Sequence, residues 1–193
     1  MLSQAGPGGR KRAGAREQAG PGGRDQADDG TVPEAQELAR QAIILLIARS
    51  QTLAVAESLT GGMLAATLTA IPGASAVFRG AVVAYATDVK AAVLDVPSDL
   101  LARYGAVHPD VAAAMAAGVR GRIRAAAGVA TTGVAGPDPS DGQPVGTVYI
   151  AVNVGRDTAV RALELTGDRH QIRAATVVRA LRLLIEMLRE DND

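Results

Sequence analysis

Thr52-Leu53-Ala54-Val55-Ala56 leads into Glu57-Ser58-Leu59-Thr60-Gly61-Gly62 and then into Met63-Leu64-Ala65-Ala66-Thr67-Leu68. The first segment is a short apolar run with β character. The last reads as a helix, expected from about Thr60 to Ala70 and stopped before Ile71-Pro72-Gly73. Ser58 and Thr60 therefore stand where a strand ends and a helix begins. Hydroxyls in that position accept from the first free backbone N–H groups, so both are expected as caps. Gly61 and Gly62 let the backbone approach a ligand closely, and the remaining N–H groups make a pocket for negative charge. A well-capped helix and a ligand-binding turn both fit these six residues. The rest of the chain decides between them.

Working outward, Pro33 followed by Leu38, Ala42, Leu45 and Leu46 predicts an amphipathic helix to about Arg49. Beyond the central stretch, Val77–Tyr85 reads as a strand with Gly80 at a bend or close approach. Short helices are expected over Thr87–Leu94 and Ser98–Arg103. A longer one runs from Pro109 to about Arg124, capped by His108 or the residue before it. Gly128–Thr132 is a buried strand that feeds a turn-rich loop, Gly133–Pro144. Gly146–Val154 and Thr158–Leu165 form a hairpin around Gly155-Arg156-Asp157. A last helix, capped by Asp168, carries Ala174, Val177, Val178, Leu181, Leu184, Ile185 and Leu188 on one side. That order predicts a three-layer α/β domain whose mixed, partly parallel sheet is flanked by helices. Ligands gather outside the carboxyl ends of strands in such sheets. Three loops leave such ends: Glu57–Gly62, Tyr85–Lys90 and Thr132–Pro144.

Composition narrows the class. Of the 193 residues 48% are apolar but only 2% aromatic, so the core is built from Ala, Val, Leu and Ile. Formal charge is zero, so no global field draws the protein to nucleic acid or membrane. Cysteine is absent, which excludes thiolate nucleophiles and cysteine metal sites and is compatible with a cytoplasmic location. No apolar run is longer than that of Ala42–Ala48, far short of the roughly 20 residues a bilayer demands, and no apolar export signal is read at the start. Residues 1–30 hold eight of the 22 glycines and repeat Ala-Gly-Pro-Gly-Gly-Arg at 5–10 and 19–24. Their one large aliphatic residue, Leu2, cannot offset the entropy of ordering, so a disordered tail is expected before a domain of 31–193. Arg10-Lys11-Arg12 within it reads as solvated charge rather than a nucleic-acid arm.

Lysine usage carries the chemistry. Of 20 basic residues only Lys11 and Lys90 are lysines, so Lys90 is the one lysine beyond the tail. Arginine keeps its proton in proteins, whereas a buried lysine can be tuned toward neutrality. A site that needs an amine to take and return a proton must keep lysine, although compositional drift alone could also leave one behind. Ser58 offers a hydroxyl and Lys90 a base, a pairing known in nucleophilic acyl transfer. The N–H groups of Gly61 and Gly62 are candidates to stabilise an oxyanion or a phosphate. Tyr85 either relays a proton or simply closes a strand end. His108 and His170 lack partners at metal-ligand spacing and read as cap or surface residues. Asp138 and Asp141 read as turn formers, and Arg120, Arg122 and Arg124 as a solvated helix face.

Several motifs now stand in register: Val55–Gly62, Ile71–Ser75, Phe78-Arg79-Gly80, Tyr85 with Lys90, Gly105-Ala106-Val107, Thr132–Pro137, Pro144–Val148 and Gly167-Asp168-Arg169. Together they resemble the CinA C-terminal-domain family, the nicotinamide-nucleotide amidohydrolases, over essentially 34–190. The resemblance implies hydrolysis of the carboxamide of nicotinamide mononucleotide to nicotinate mononucleotide and ammonia, without metal or other cofactor. It implies Ser58 as nucleophile, Lys90 as base and Tyr85 as helper. Thr60, Gly61 and Gly62 would contact the oxyanion or phosphate, and Arg79, Thr132, Gly133 and Arg169 would hold the substrate. Homodimers are common in the family, and the last helix offers either an interface or a core face. A catalytically silent nucleotide- or partner-binding domain is the alternative. The chain departs from many relatives at Leu59, at Ala86-Thr87-Asp88, at His108 and at Gln143, where they carry cysteine, serine-asparagine-glutamate, serine and lysine. None of these changes removes Ser58 or Lys90.

Overall fold

The computed structural model describes Met1 and residues 31–190. The expected tail, Met1 apart, lies outside the described residues, as do residues 191–193. The elements are α1 (Thr31–Ala48), β1 (Leu53–Glu57), α2 (Met63–Thr69), a 3-10 turn (Ala74–Ala76), β2 (Phe78–Val83), α3 (Thr87–Leu94), α4 (Ser98–Tyr104), α5 (Pro109–Ile123), β3 (Ala127–Gly133), β4 (Thr147–Val154), β5 (Asp157–Glu164) and α6 (Arg169–Glu190). The sheet order is β2-β1-β3-β4-β5. β1 runs parallel to β2 and β3, while β3–β4 and β4–β5 are antiparallel. This is the mixed, three-layer α/β arrangement that the sequence predicts.

The two faces of the sheet are unlike, and the alternation along each strand says why. Leu53, Val55, Val129, Ile150 and Val152 point to one face, where they meet Ile43, Leu46, Leu64, Leu181 and Leu184 of α1, α2 and α6. Ala54, Ala56, Ala130 and Ala151 point to the other, against Val111, Met115 and Val119 of α5. Large aliphatic side chains hold α1 and α6 at ordinary distance. The small face lets α5 press close, and Gly128 marks the limit: a Cβ there would lie 2.2 Å from the Ala116 carbonyl oxygen. A protein almost without aromatics thus fills its core by close approach of backbones.

Some boundaries move. β1 sits one residue later than expected, so Glu57 ends the strand, and α2 begins at Met63 rather than near Thr60. α1 begins at Thr31, two residues ahead of Pro33. The hairpin is tighter than expected: Asp157 pairs with Val154, leaving a two-residue turn with Gly155 at φ 57°. Asp168 caps α6 as expected, accepting from the Gln171 N–H at 2.9 Å while Gln171 Oε1 accepts from the Asp168 N–H. The apolar side of α6 is buried against the sheet and α1, so it serves as core and not as an open interface. Among the described residues no helix is long and apolar enough to cross a membrane.

Candidate active site

The turn after β1 is built around Glu57, which is fully buried. Its Oε2 accepts from the N–H groups of Gly62 (3.0 Å) and Leu64 (3.1 Å), and its Oε1 from that of Ala65 (2.8 Å). A carboxylate satisfies the positive end of a helix better than a hydroxyl does, and Glu57 reaches it from the strand end. Ser58 and Thr60 are therefore not the caps of α2; Gly62 takes the cap position at φ 94° with no side-chain cap of its own. The pocket for negative charge expected at Gly61 and Gly62 is correspondingly filled from within. Gly62 donates to Glu57 and Gly61 donates to the Ser58 carbonyl at 3.1 Å. The Thr60 hydroxyl is buried on Thr131 Oγ1 at 2.8 Å.

Freed from capping, the Ser58 hydroxyl faces the site. Its N–H donates to the Thr131 carbonyl at 3.0 Å, which extends the β1–β3 ladder by one residue and fixes the backbone there. Lys90, on α3, is fully buried and brings Nζ to 3.1 Å from Ser58 Oγ. Nζ also donates to the carbonyls of Ala84 (2.8 Å) and Tyr85 (3.3 Å). Burial lowers the Lys90 pKa from 10.5 to about 8, against a smaller upward pull from the Asp141 carboxylate. A neutral amine has two N–H groups and one lone pair. The two carbonyls can only accept, so they take the N–H groups and leave the lone pair for the Ser58 O–H.

Ser58 and Lys90 open into a cleft walled by all three loops that the sequence places at the strand ends. Tyr85, Thr132, Gly133 and Arg169 line the same cleft. Arg169 donates to the Gly136 carbonyl at 2.6 Å and to the Tyr85 hydroxyl oxygen at 2.8 Å, leaving the tyrosine proton for an acceptor in the cleft. Thr132 spends its hydroxyl proton on the Ala106 carbonyl at 2.7 Å. Thr60, Gly61 and Gly62 lie in the turn after Ser58 and not on the cleft wall. Arg79 lies apart, near the amino end of edge strand β2, where Nε donates to the Ile123 carbonyl at 3.0 Å.

Three residues matter here that sequence reasoning passed over as functional: Glu57, Asp141 and Arg173. Asp141 is more than a turn former, because its Oδ2 accepts from the Ala106 N–H at 2.7 Å and its charge acts on Lys90. Arg173 donates to the carbonyls of Leu59 and Thr60. Only the Glu57 position next to Ser58 gave a local signal, an acidic residue just ahead of a helix start. His108 caps α5 by accepting from the Asp110 N–H, and its ring stacks on Tyr104. Arg120 and Arg122 are not merely solvated; they bond the Gly155 carbonyl and Asp95. Among the described residues no cluster of three His, Cys, Asp or Glu could hold a metal.

Fold and site together define an α/β domain that presents a buried serine–lysine pair at the carboxyl ends of its strands. The chain belongs to the CinA family: the CinA C-terminal domain matches residues 35–188. A CinA-like protein from Frankia casuarinae is 57% identical over 144 residues, covering 75% of this chain and 33% of the relative. One from Gemmatimonas aurantiaca is 52% identical over 143 residues, 73% of this chain and 32% of the relative. The chain thus spans about a third of the length of these curated relatives. Among solved structures, the competence/damage inducible protein CihA from Agrobacterium tumefaciens superposes with a TM-score of 0.77 at 38% identity, covering 80% of this chain and 95% of that one. A CinA superfamily protein from Klebsiella pneumoniae gives a TM-score of 0.78 at 34% identity, covering 81% and 98%.

Proposed function

We propose that this domain hydrolyses the carboxamide of nicotinamide mononucleotide, releasing nicotinate mononucleotide and ammonia, as a cytoplasmic homodimer. The observation that carries the reading is the hydrogen-bonding position of Lys90: two carbonyls consume its N–H groups, and Ser58 Oγ occupies the remaining direction at 3.1 Å. A domain that only bound a nucleotide would gain nothing from burying an amine whose proton leaves near pH 8.

In this scheme Ser58 Oγ attacks the carboxamide carbon as its proton passes to Lys90 Nζ. Lys90 then hands that proton to the departing nitrogen, and ammonia leaves behind an ester on Ser58. Water attacks the ester carbon with Lys90 again as base, the Oγ–carbon bond breaks, and the proton returns to Ser58. Tyr85 donates its hydroxyl proton to substrate while Arg169 holds its oxygen. Arg169 also offers positive charge beside the cleft for an anionic substrate. Gly133 lines the cleft through its backbone, since a Cβ there would point into β4, 2.6 Å from the Thr147 carbonyl oxygen. The backbone N–H groups of Gly61 and Gly62 take no part in this scheme.

The test is ammonia release from nicotinamide mononucleotide by the wild type and by Ser58→Ala, with nicotinate mononucleotide identified by mass. Stoichiometric ammonia and acid from the wild type, and neither from Ser58→Ala, support the reading. Nucleotide binding by both proteins with no ammonia from either would mark a silent binding domain instead.

A further inference from the structure

The turn that carries Ser58 is held at both of its polar ends by charged side chains. Glu57 takes its N–H groups at Gly62, Leu64 and Ala65. Arg173, from α6, takes the carbonyls of the two residues that follow the serine. Its Nε donates to Leu59 O at 3.1 Å and its terminal nitrogen to Thr60 O at 2.6 Å. The guanidinium lies against the turn at Gly61, where a Cβ would sit 3.4 Å from it. Arg173 is half-buried, lies outside the cleft wall, and forms no ion pair among the described residues.

We propose that Arg173 is a positioning residue for Ser58, an inference that rests on the serine–lysine hydrolase reading. A planar guanidinium spanning two successive carbonyls fixes their spacing and their orientation, which a single ammonium does not. The Leu59 and Thr60 peptides can turn only if both bonds break. Ser58 is their neighbour, and its Oγ must stay on the one free direction of the Lys90 nitrogen. Glu57 holds the other end of the turn, so loss of Arg173 frees one side while α2 remains capped. The serine then samples orientations off the lysine lone pair, although every group that touches substrate is still present.

The experiment compares the wild type, Arg173→Lys and Arg173→Met, each confirmed folded by circular dichroism, in two assays. One is kcat and KM for ammonia release from nicotinamide mononucleotide. The other is the rate at which phenylmethylsulfonyl fluoride modifies Ser58, a step that forms the Oγ–sulfur bond and expels fluoride while Lys90 receives the proton. Arg173→Met is expected to lower kcat and the modification rate together, on the order of 100-fold, with KM within about twofold. Arg173→Lys should fall between, because its ammonium holds one carbonyl well. Should Arg173→Met fail to fold, the same intermediate loss in Arg173→Lys carries the test. Equal modification rates in wild type and variants overturn the positioning role whatever the amide result. Arginine-dependent modification without ammonia from any protein keeps the positioning role and removes the amidase. Neither modification nor ammonia from any of them overturns both, and ammonia released at one kcat by all three, with no modification, overturns the positioning role alone.

Discussion

Lys90→Met removes the buried amine while keeping a flexible chain of similar length, and its consequence for stability depends on pH. In the folded protein the Lys90 pKa is lowered from 10.5 to about 8, chiefly by burial. Below pH 8 the group is charged in both states, and the folded state bears the desolvation cost. Between 8 and 10.5 the unfolded chain binds a proton that the folded chain has released, so stability rises with pH across that window. With those two values, the linkage integral from pH 7 to pH 10 amounts to roughly 2–3 kcal/mol in favour of the folded wild type. Lys90→Met lacks this gain. Denaturant unfolding of both proteins at pH 7, 8, 9 and 10 measures the difference directly, other titrating groups being common to the two. The stability of wild type minus that of Lys90→Met should climb by roughly 2–3 kcal/mol over the series. A flat difference would refute the reasoning, because it would mean that burial has not displaced the lysine titration.

Other expectations follow from the same contacts. The rate governed by kcat/KM should rise with pH through a limb near 8, since only neutral Lys90 can accept the serine proton. Asp141→Asn keeps an oxygen for the Ala106 N–H but removes a charge that raises the Lys90 pKa, so the limb should move to lower pH; a limb that stays put would dismiss the electrostatic role. Glu57→Ala leaves the Gly62, Leu64 and Ala65 N–H groups without their acceptor, and thermal or urea unfolding should show a loss of about 3–5 kcal/mol. Gly128→Ala puts a methyl 2.2 Å from the Ala116 carbonyl, so α5 must shift, with a loss of about 3 kcal/mol or more.

The fold was legible in the sequence because its signals are local. Thr87–Leu94 and Pro109 announce helices α3 and α5, and the pattern around Gly155-Arg156 announces the hairpin. The pairing of Ser58 with Lys90 was reachable through chemistry, since a lone lysine among arginines singles itself out before any geometry is known. What stayed hidden is how polar groups are shared across the fold. The hydroxyls of Ser58 and Thr60 have the right chemistry to cap α2, yet Glu57 arrives from the preceding strand with a full charge and takes the helix end. Arg173 acts 114 positions from Leu59, and Asp141 35 positions from Ala106, in segments whose local patterns announce only a helix face and a turn. The same limit explains Arg79. Phe78-Arg79-Gly80 fits a strand, but only the sheet's direction shows that Arg79 lies at the end opposite the cleft.

Lys90→Arg tests the central claim most directly, because it keeps the positive charge and abolishes the ability to give up a proton. Ammonia release from nicotinamide mononucleotide by the folded variant should fall between about 100-fold and 10,000-fold, the span of a lost general base. Release at the wild-type rate would contradict the account, since no proton could then be passing through residue 90.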